Sequence, residues 1–365
     1  MRVLFAGGGT GGHINPAISI ADYIKSQEES FEALFIGTKR GLETKLVPKA
    51  GYNIEYIDIR GFNRRNLLKN FEVLKKLSES KKRCREIIKE FKPDAVVLTG
   101  GYVSGPVAMA AHKMGIPAVI HEQNVYPGLT VKGSINYVDY VLVSFSETLN
   151  YIKKKERCVL TGNPVRTQII NAKKEISRKE LGLSDKPFVL IFGGSLGAQK
   201  INENVVKILK RLSEDNKIQL LFGTGERNYE EIKGQIKDMK LSDNIKIVPY
   251  IDNMHLAMAA ADVVVSRSGA ITVSEIAVLG KPSILIPSPN VVRNHQEQNA
   301  RALEKVGACR VLLESELNED TLYEAINSLA NDKKAQDKMA DSLKEVACPD
   351  ALERIYKVVK KITKK

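Results

Sequence analysis

Thiol and imidazole groups are scarce in this chain, and tryptophan is absent. Its 365 residues include four cysteines and five histidines. The cysteines, which are Cys84, Cys158, Cys309 and Cys348, form no C-x-x-C pair, and this argues against a cysteine zinc site and a disulfide framework. The histidines are too few and too scattered for a His-rich metal site. We therefore expect no protein-bound metal and a reducing, cytosolic compartment.

Long apolar runs are lacking as well. No run approaches the roughly 20 residues that a membrane-spanning helix needs. Residues 1–7 are typical of a strand that leads into a glycine turn, and not of a signal peptide. We therefore expect any contact with a membrane to be peripheral.

Acidic residues are outnumbered by basic ones, 43 to 56, which gives a formal net charge of +13. This excess indicates a polyanionic partner, which could be nucleic acid, an anionic membrane or a phosphorylated substrate. Residues 60–92 contain twelve basic and four acidic side chains, so eight of the thirteen net charges come from this one segment. Aromatic residues make up only 6% of the chain, and no helix-turn-helix, RNP-like or zinc-finger pattern is present, which disfavours nucleic-acid binding.

Short apolar runs alternate with longer helical stretches along the whole chain. Runs of this kind are typical of strands buried on both faces, and their separation by helices predicts parallel sheets. We predict strands at residues 3–6, 33–36, 54–57, 95–98, 118–120, 140–143 and 158–160 in the first half, and at 188–192, 218–222, 245–248, 263–265 and 283–286 in the second. The predicted fold class is α/β, with two doubly wound domains.

The boundary between these domains is predicted at residues 161–165, TGNPV, because Asn-Pro stops a helix. We expect a first domain over residues 1–164 and a second over 165–347. Residues 348–365 are predicted as an amphipathic helix that begins at Pro349. Its apolar face would consist of Leu352, Ile355, Val358, Val359 and Ile362.

Three glycine-rich turns each follow a predicted strand: GGGTGG at 7–12, TGGYVSGP at 99–106 and GGSLG at 193–197. Glycines let the backbone approach an anion, and N–H groups at a helix N-terminus can bind phosphate. The first turn matches G-x-G-x-x-G, but the second strand ends at residues 36–40 without an acid for a ribose, and His13 stands where a P-loop has lysine. We expect anion-binding edges and a site in the cleft between the domains. The alternative is a tight turn for helix–strand packing.

Further polar residues follow strands. His13 begins the first helix and is a candidate general base or a helix cap. Glu275 lies about two turns after residues 266–269, where a carboxylate could bind a ribose diol; a solvated helix charge is the alternative, and the pattern alone favours it. The clusters HEQN at 121–124 and NHQEQN at 294–299 favour sugar recognition, although each could be a satisfied loop.

Six segments together resemble one family: GGTGGH at 8–13, GGYVSGP at 100–106, HEQN at 121–124, GNPVR at 162–166, GGSLGA at 193–198 and residues 266–275. Over essentially the whole chain, their order and spacing are similar to those of the peptidoglycan N-acetylglucosaminyltransferases that convert lipid I to lipid II. The resemblance implies a GT-B fold, with two Rossmann-like domains facing a cleft and a C-terminal helix that returns to the first domain. It implies inverting transfer of GlcNAc from UDP-GlcNAc to the 4-hydroxyl of MurNAc in undecaprenyl-pyrophosphoryl-MurNAc-pentapeptide, which forms a β-1,4 linkage.

The same resemblance implies roles for individual residues. His13 would be the catalytic base. Residues implied to bind the donor are Thr10, Gly11, Gly12, Asn124, Arg166, Ser195, Ile251, Ala270, Ile271, Thr272, Glu275, His295 and Gln296, and those implied to bind the acceptor are Gly101, Tyr102 and Ser104. The backbone of Ile251 would read uracil, Glu275 the ribose hydroxyls, and the helix start at Ala270 the diphosphate. His295 departs from the family pattern, which often has glutamine there.

Residues 60–92 are expected to serve the lipid-linked acceptor. A membrane patch at Leu67, Leu68, Phe71 and Lys75 would place apolar side chains and a basic rim on an anionic membrane surface. The alternative is an ordinary surface helix. We expect a peripheral protein on the cytoplasmic face of the cell membrane, with UDP-GlcNAc, lipid I and other cell-wall synthesis proteins as partners.

No Asp-x-Asp motif is present, so we expect no required cofactor, with Mg²⁺ as a stimulant at most. Two other activities of the same architecture stay open. One is a glycosyltransferase that acts on another lipid, such as diacylglycerol. The other is a UDP-GlcNAc epimerase.

Overall fold

The computed structural model of the protein describes residues 1–59, 69–194 and 197–364, and for residues 69–74 the backbone alone. The described residues form two compact units. The first unit is Met1–Val165 together with Asp350–Lys365, and the second is Arg166–Pro349. The chain thus enters the second unit after residue 165 and returns to the first after residue 349.

A parallel sheet forms the middle of the first unit. Its described strands are β1 (Arg2–Gly7), β2 (Glu32–Gly37), β3 (Asn53–Tyr56), β4 (Ala95–Gly100), β5 (Ala118–Glu122), β6 (Tyr140–Val143) and β7 (Cys158–Leu160). They lie in the order β3-β2-β1-β4-β5-β6-β7, and every neighbouring pair is parallel. The central strands are buried on both faces, which explains their continuous apolar sequences.

Helices cover both faces of this sheet. They are α1 (Gly11–Gln27), α2 (Glu43–Lys49), α3 (Lys69–Phe91), α4 (Ser104–Lys113) and α5 (Leu129–Ser134). Successive residues of β1 point to opposite faces, so Val3 and Phe5 join the apolar cluster that contains α1, while Leu4 and Ala6 join the one that contains α3 and α4. Two apolar layers therefore hold one sheet in place.

The second unit repeats this plan with a parallel sheet of its own. Its described strands are β8 (Phe188–Phe192), β9 (Gln219–Gly223), β10 (Ile245–Val248), β11 (Val263–Ser266), β12 (Ser283–Leu285) and β13 (Arg310–Val311), in the order β10-β9-β8-β11-β12-β13. Its helices are α6 (Thr167–Ile170), α7 (Lys174–Glu180), α8 (Gln199–Asp215), α9 (Glu226–Gln235), α10 (Met254–Ala260), α11 (Ala270–Leu279), α12 (His295–Lys305), α13 (Glu319–Ala330) and α14 (Lys333–Val346). The twelve predicted strands are confirmed, and β13 is an addition to them.

The last helix, α15 (Ala351–Ile362), packs against α1 in the first unit. It begins two residues later than predicted, since Pro349 precedes its N-cap residue Asp350. Its apolar face is buried, and beside that face Tyr356 and Lys360 both donate hydrogen bonds to the carboxylate of Glu28, which follows α1.

Each sheet has one point at which the order of its strands reverses. In the first sheet this point lies between β1 and β4, and in the second it lies between β8 and β11. Ligands of open α/β sheets bind at the carboxyl ends of the strands at such a point. In the first unit the glycine turns after β1 and β4 lie there, and in the second unit Gly193 and Gly194 after β8 and the loop after β11 do, so the topology selects two segments in each unit as candidate sites.

Candidate active site

The first glycine turn combines close packing with an accessible helix start. A Cβ atom added at Gly7 would lie 2.0 Å from Oγ1 of Thr99, so this glycine lets β1 and β4 approach each other. Gly9 has a φ of +88°, which disfavours other residues. Helix α1 then begins at Gly11, with Thr10 as its N-cap residue and with Gly12 exposed. The first N–H groups of a helix have no acceptor within the helix, and they suit an anion.

His13 is partly buried in the first turn of α1, and its ring lies against Gly100 in the second glycine turn. Its Nδ1 atom lies 3.1 Å from the carbonyl oxygen of Gly8. A carbonyl oxygen only accepts hydrogen bonds, so in the neutral ring Nδ1 carries the hydrogen and Nε2 carries the lone pair. A Cβ atom added at Gly100 would lie 3.0 Å from Nε2, which places this nitrogen against the second turn. The imidazole therefore has the tautomer that a base acting through Nε2 requires.

The second glycine turn meets the first one backbone to backbone. Gly101 has a φ of +77°, and a Cβ atom added there would lie 2.4 Å from the carbonyl oxygen of Gly8. Tyr102 is 65% exposed beside it. Ser104 is fully buried, and its hydroxyl lies 3.0 Å from the carbonyl oxygen of Ala6 and 2.8 Å from that of Gly100. These bonds occupy the Ser104 hydroxyl and hold the turn against β1, and the predicted contact of Ser104 with the acceptor substrate stays a prediction.

The cluster at 121–124 is mostly a buried network. Burial lowers the pKa of His121 to about 4, while the bond from its Nε2 atom to the Gly162 carbonyl opposes that change. Burial raises the pKa of Glu122, although its carboxylate accepts N–H groups of Asn124 and Gly128 at 2.9 and 2.7 Å. Gln123 is buried as well. Only Asn124 in this cluster is partly exposed, so the cluster is chiefly the satisfied loop that was the alternative to sugar recognition.

The second unit supplies a helix N-terminus and a buried carboxylate. Gly269 is the N-cap residue of α11, and Ala270 is its first residue. Glu275 is 6% exposed, and its Oε1 atom accepts a hydrogen bond of 3.1 Å from Nη2 of Arg166. Burial raises the pKa of Glu275, and the Arg166 guanidinium opposes this change. The alternative of a solvated helix charge is wrong for Glu275.

The polar cluster at 294–299 docks onto the loop after β11. The hydroxyl of Ser268 donates to the carbonyl oxygen of Gln296 at 2.8 Å, and Nδ2 of Asn299 donates to the carbonyl oxygen of Ser268 at 3.2 Å. The side-chain oxygen of Gln296 accepts the Ser288 N–H at 2.9 Å, which orients the side-chain amide. His295 lies 3.0 Å through Nδ1 from the Val292 carbonyl. Gln296 and the α11 N-terminus are thereby brought to one end of the second sheet.

Four further residues were predicted to bind the donor substrate. Ile271 and Thr272 follow Ala270 in the first turn of α11, and both are partly buried. Ile251 follows β10 and is buried, and a Cβ atom added at Gly223 would lie 2.8 Å from its Cδ1 atom. Ser195 lies outside the described residues.

Two charged residues near the site escaped the sequence prediction. Glu43, the first residue of α2, is fully buried and accepts the N–H of Gly9 at 2.9 Å. The sequence feature that could have indicated Glu43 is an acidic residue at a helix start shortly after the second predicted strand. Arg267 has an ion pair with Glu314 and donates to the carbonyl oxygens of Ile286 and Pro287, so it supports the loop after β11.

The predicted membrane patch is described only in part. Leu67 and Leu68 lie outside the described residues, and of Phe71 the backbone alone is described, within α3. Lys75 is exposed. Further along α3 the exposed charges include Glu79, Lys82, Glu86, Lys89 and Glu90. This part of α3 is a solvated face of mixed charge, with Cys84, Ile87 and Ile88 buried beneath it.

The described ranges hold neither a grouped set of metal ligands nor a helix suited to a bilayer. In residues 1–59, 69–194 and 197–364, no three His, Cys, Asp or Glu side chains are grouped so that they could hold a metal ion. Over the same ranges, no helix combines the length and the apolar character needed to cross a bilayer.

The chain matches two family models. Residues 3–143 match the glycosyltransferase family 28 N-terminal domain, and residues 188–355 match the family 28 C-terminal domain. It is 49% identical over its full length to the UDP-N-acetylglucosamine–N-acetylmuramyl-(pentapeptide) pyrophosphoryl-undecaprenol N-acetylglucosamine transferase of Acetivibrio thermocellus, of which it covers 99%. It is 46% identical to the enzyme of that name from Thermoanaerobacter sp. X514, with both chains fully covered.

Solved structures agree with these matches. The crystal structure of Acinetobacter baumannii MurG has a TM-score of 0.79 at 28% identity, with 99% of each chain covered. An S. aureus MnaA–UDP co-structure has a TM-score of 0.69 at 19% identity, covering 99% of this chain and 96% of that one, and it speaks for the fold alone. The fold is therefore the GT-B architecture. The chain belongs to the family of N-acetylglucosamine transferases that the Acetivibrio thermocellus and Thermoanaerobacter enzymes represent, within glycosyltransferase family 28.

Proposed function

We propose that the protein transfers GlcNAc from UDP-GlcNAc to the 4-hydroxyl of MurNAc in undecaprenyl-pyrophosphoryl-MurNAc-pentapeptide, which converts lipid I to lipid II. The observation that carries this proposal is 49% identity over the whole chain to a relative whose name states this donor sugar and this acceptor. The geometry is compatible with it, because the switch point of each sheet has a glycine-lined turn or a helix N-terminus for a phosphate-bearing substrate.

The second unit would bind the donor. The carboxylate of Glu275 is buried and held in one orientation, and it can accept hydrogen bonds from both ribose hydroxyls. The N–H groups of Ala270, Ile271 and Thr272 begin α11 and can bind the diphosphate. Gln296 would contact the sugar, and the backbone of Ile251 the uracil. Ser195 is proposed for the diphosphate from its place in the third glycine turn alone.

Arg166 would serve the leaving group. Its side chain is 47% exposed even while it is paired with Glu275, so it can turn towards a phosphate without breaking a packed core. A ribose diol on Glu275 would replace the hydrogen bond that Arg166 gives up. The departing UDP would then be stabilised by helix N–H groups and a guanidinium, with no required cofactor and with Mg²⁺ as a stimulant at most.

The first unit would bind the acceptor and supply the base. In the transfer, the 4-oxygen of MurNAc bonds to C1 of GlcNAc, the bond from C1 to the phosphate oxygen breaks, and the hydroxyl proton moves to Nε2 of His13. Attack opposite the leaving group inverts the configuration at C1 and gives the β-linked product. Gly101 and Tyr102 at the second turn would contact the acceptor.

A membrane surface is proposed as the place of action, because the acceptor is a lipid. The protein would be a peripheral protein on the cytoplasmic face, with the basic segment 60–92 towards anionic headgroups. Contacts with other cell-wall synthesis proteins and the absence of nucleic-acid partners stay expectations from the sequence.

Measurement of UDP release tests the proposed reaction. Purified protein is incubated with UDP-GlcNAc alone, with a lipid I analogue and with diacylglycerol, and the products are separated by chromatography and identified by mass and by comparison with standards. We expect UDP release that depends on the lipid I analogue, together with a disaccharide-bearing lipid. Epimerised donor in the absence of acceptor, or transfer to diacylglycerol alone, would instead favour one of the two alternative activities.

A further inference from the structure

One peptide group in the first glycine turn is held at both of its ends. The peptide between Gly8 and Gly9 donates its N–H to Oε2 of Glu43 at 2.9 Å. Its carbonyl oxygen lies 3.1 Å from Nδ1 of His13. A carboxylate, a peptide group and an imidazole are therefore linked in series, although Glu43 and His13 lie on different helices.

The carboxylate in this series is fixed from several sides. Glu43 is 0% exposed, and its Oε1 atom accepts the N–H and the hydroxyl of Thr38, both at 2.8 Å. It is the first residue of α2, where the helix dipole favours a negative charge. Cβ atoms added at Gly37, Gly41 or Gly8 would come within 3.0 Å of it, so glycines from two turns make its space.

Glu43 has no route to a substrate in this arrangement. A carboxylate without exposed surface cannot meet a ribose, which separates it from the acid of a dinucleotide fingerprint. Its effect on a reaction must pass through the group that it touches in the turn, and that group is the peptide before Gly9.

We infer that Glu43 is a positioning residue for His13, acting through the Gly8–Gly9 peptide. This inference rests on the proposed role of His13 as the base. A carboxylate on the N–H side polarises the peptide and strengthens the carbonyl as an acceptor, since hydrogen bonds in a chain reinforce one another. The stronger acceptor holds the hydrogen on Nδ1, orients the ring and leaves the lone pair on Nε2, as a carboxylate does for a directly bound histidine.

The test compares Glu43→Gln with Thr38→Val. The first change removes the charge at nearly constant shape. The second removes a hydroxyl donor to the same carboxylate and leaves the charge and the bond to Gly9. We expect Glu43→Gln to lower kcat about 10-fold, the size seen when an orienting partner is lost, with the KM for UDP-GlcNAc unchanged within about twofold. Thr38→Val should keep kcat even where it lowers the melting temperature.

Nitrogen-15 NMR of labelled histidine gives a readout that a purely structural role would not move. The His13 signals are assigned by their loss in His13→Asn. In the native protein we expect the neutral ring with its hydrogen on Nδ1, and in Glu43→Gln we expect a growing population of the other tautomer. The spectrum of the native protein tests the inference even if Glu43→Gln does not fold. A native His13 ring with its hydrogen on Nε2 would overturn the inference.

Two further results would reject the inference. One is a Glu43→Gln enzyme with native kcat and native tautomer. The other is an equal loss of kcat in Glu43→Gln and Thr38→Val, which would make Glu43 a stabilising residue only. Failure of the proposed role of His13 looks different, because His13→Ala would then keep its kcat whatever Glu43→Gln does. Failure of the proposed reaction would appear in the native protein, as the absence of UDP release that depends on the lipid I analogue.

Discussion

In each unit a buried glutamate lies beside the switch point of the sheet, Glu43 in the first and Glu275 in the second, and the two carboxylates are satisfied in different ways. Glu43 accepts two backbone N–H groups and one hydroxyl, all from segments that are fixed in the fold. Glu275 is paired with Arg166, whose side chain is about half exposed. A carboxylate held by backbone is part of the scaffold, whereas one held by a half-exposed side chain can exchange its partner for a ligand. We therefore associate the first site with reaction rate and the second with donor affinity.

The largest effect is expected at the first site. His13→Ala should lower kcat about 10²- to 10⁴-fold with donor and acceptor both saturating, because a general base contributes about that much. UDP binding should remain, since the residues proposed to bind the uracil, the ribose and the diphosphate lie in the other unit. Steady-state kinetics and calorimetry measure the two quantities.

His112→Ala is the matched control for His13→Ala, because it removes an exposed histidine from α4 in the same unit. It should keep both kcat and UDP affinity. A near-native kcat in His13→Ala would reject His13 as the base. It would also reject the assignment of reaction rate to the first site and donor affinity to the second.

A dependence of stability on pH should follow from the burial of His121 in the hydrogen-bonded cluster at 121–124. His121 has a pKa of about 4 when folded and about 6.5 when unfolded, so between these values the unfolded chain binds more protons. Its stabilising contribution is therefore complete above pH 6.5 and is lost as the pH falls towards 4, by roughly 3 kcal/mol in total. Urea unfolding followed by circular dichroism at several pH values measures this loss.

His121→Gln isolates the effect of this titration, because the amide can still donate to the Gly162 carbonyl while it cannot take up a proton. We expect a smaller loss of unfolding free energy between pH 6.5 and pH 4 in this variant than in the native protein. Equal losses would mean that His121 is not held neutral by the fold.

The smallest of the three effects is expected for UDP affinity when Glu275, the carboxylate paired with Arg166, is replaced. Glu275→Ala should weaken UDP binding about 10- to 100-fold, the equivalent of losing hydrogen bonds to a charged group, and should leave saturated turnover largely intact. Calorimetry measures the affinity. Glu203→Ala, which removes an exposed acid from α8, is the control. Unchanged UDP affinity in Glu275→Ala would reject the ribose role and with it the second half of the comparison.

The strands and the glycine turns could be predicted because both depend on local sequence. Apolar runs report strands buried on two faces, and all twelve predicted strands are present. Strand β13 escaped prediction because it consists of Arg310 and Val311 alone and is recruited by pairing with β12. The start of α15 was misplaced by two residues because Asp350, and not Pro349, takes the N-cap position.

The sequence by itself determined the α/β class, the two sheets and the positions of the glycine turns, because periodicity and glycine placement act over a few residues. Only the tertiary structure decided which polar side chains are locked and which can reach a ligand. Ser104 and His121 are buried with bonded polar groups, Glu275 is buried with one exposed partner, and Glu43 is linked to His13 through a peptide. Burial and hydrogen-bond partners depend on residues far apart in the chain, and no local pattern encodes them.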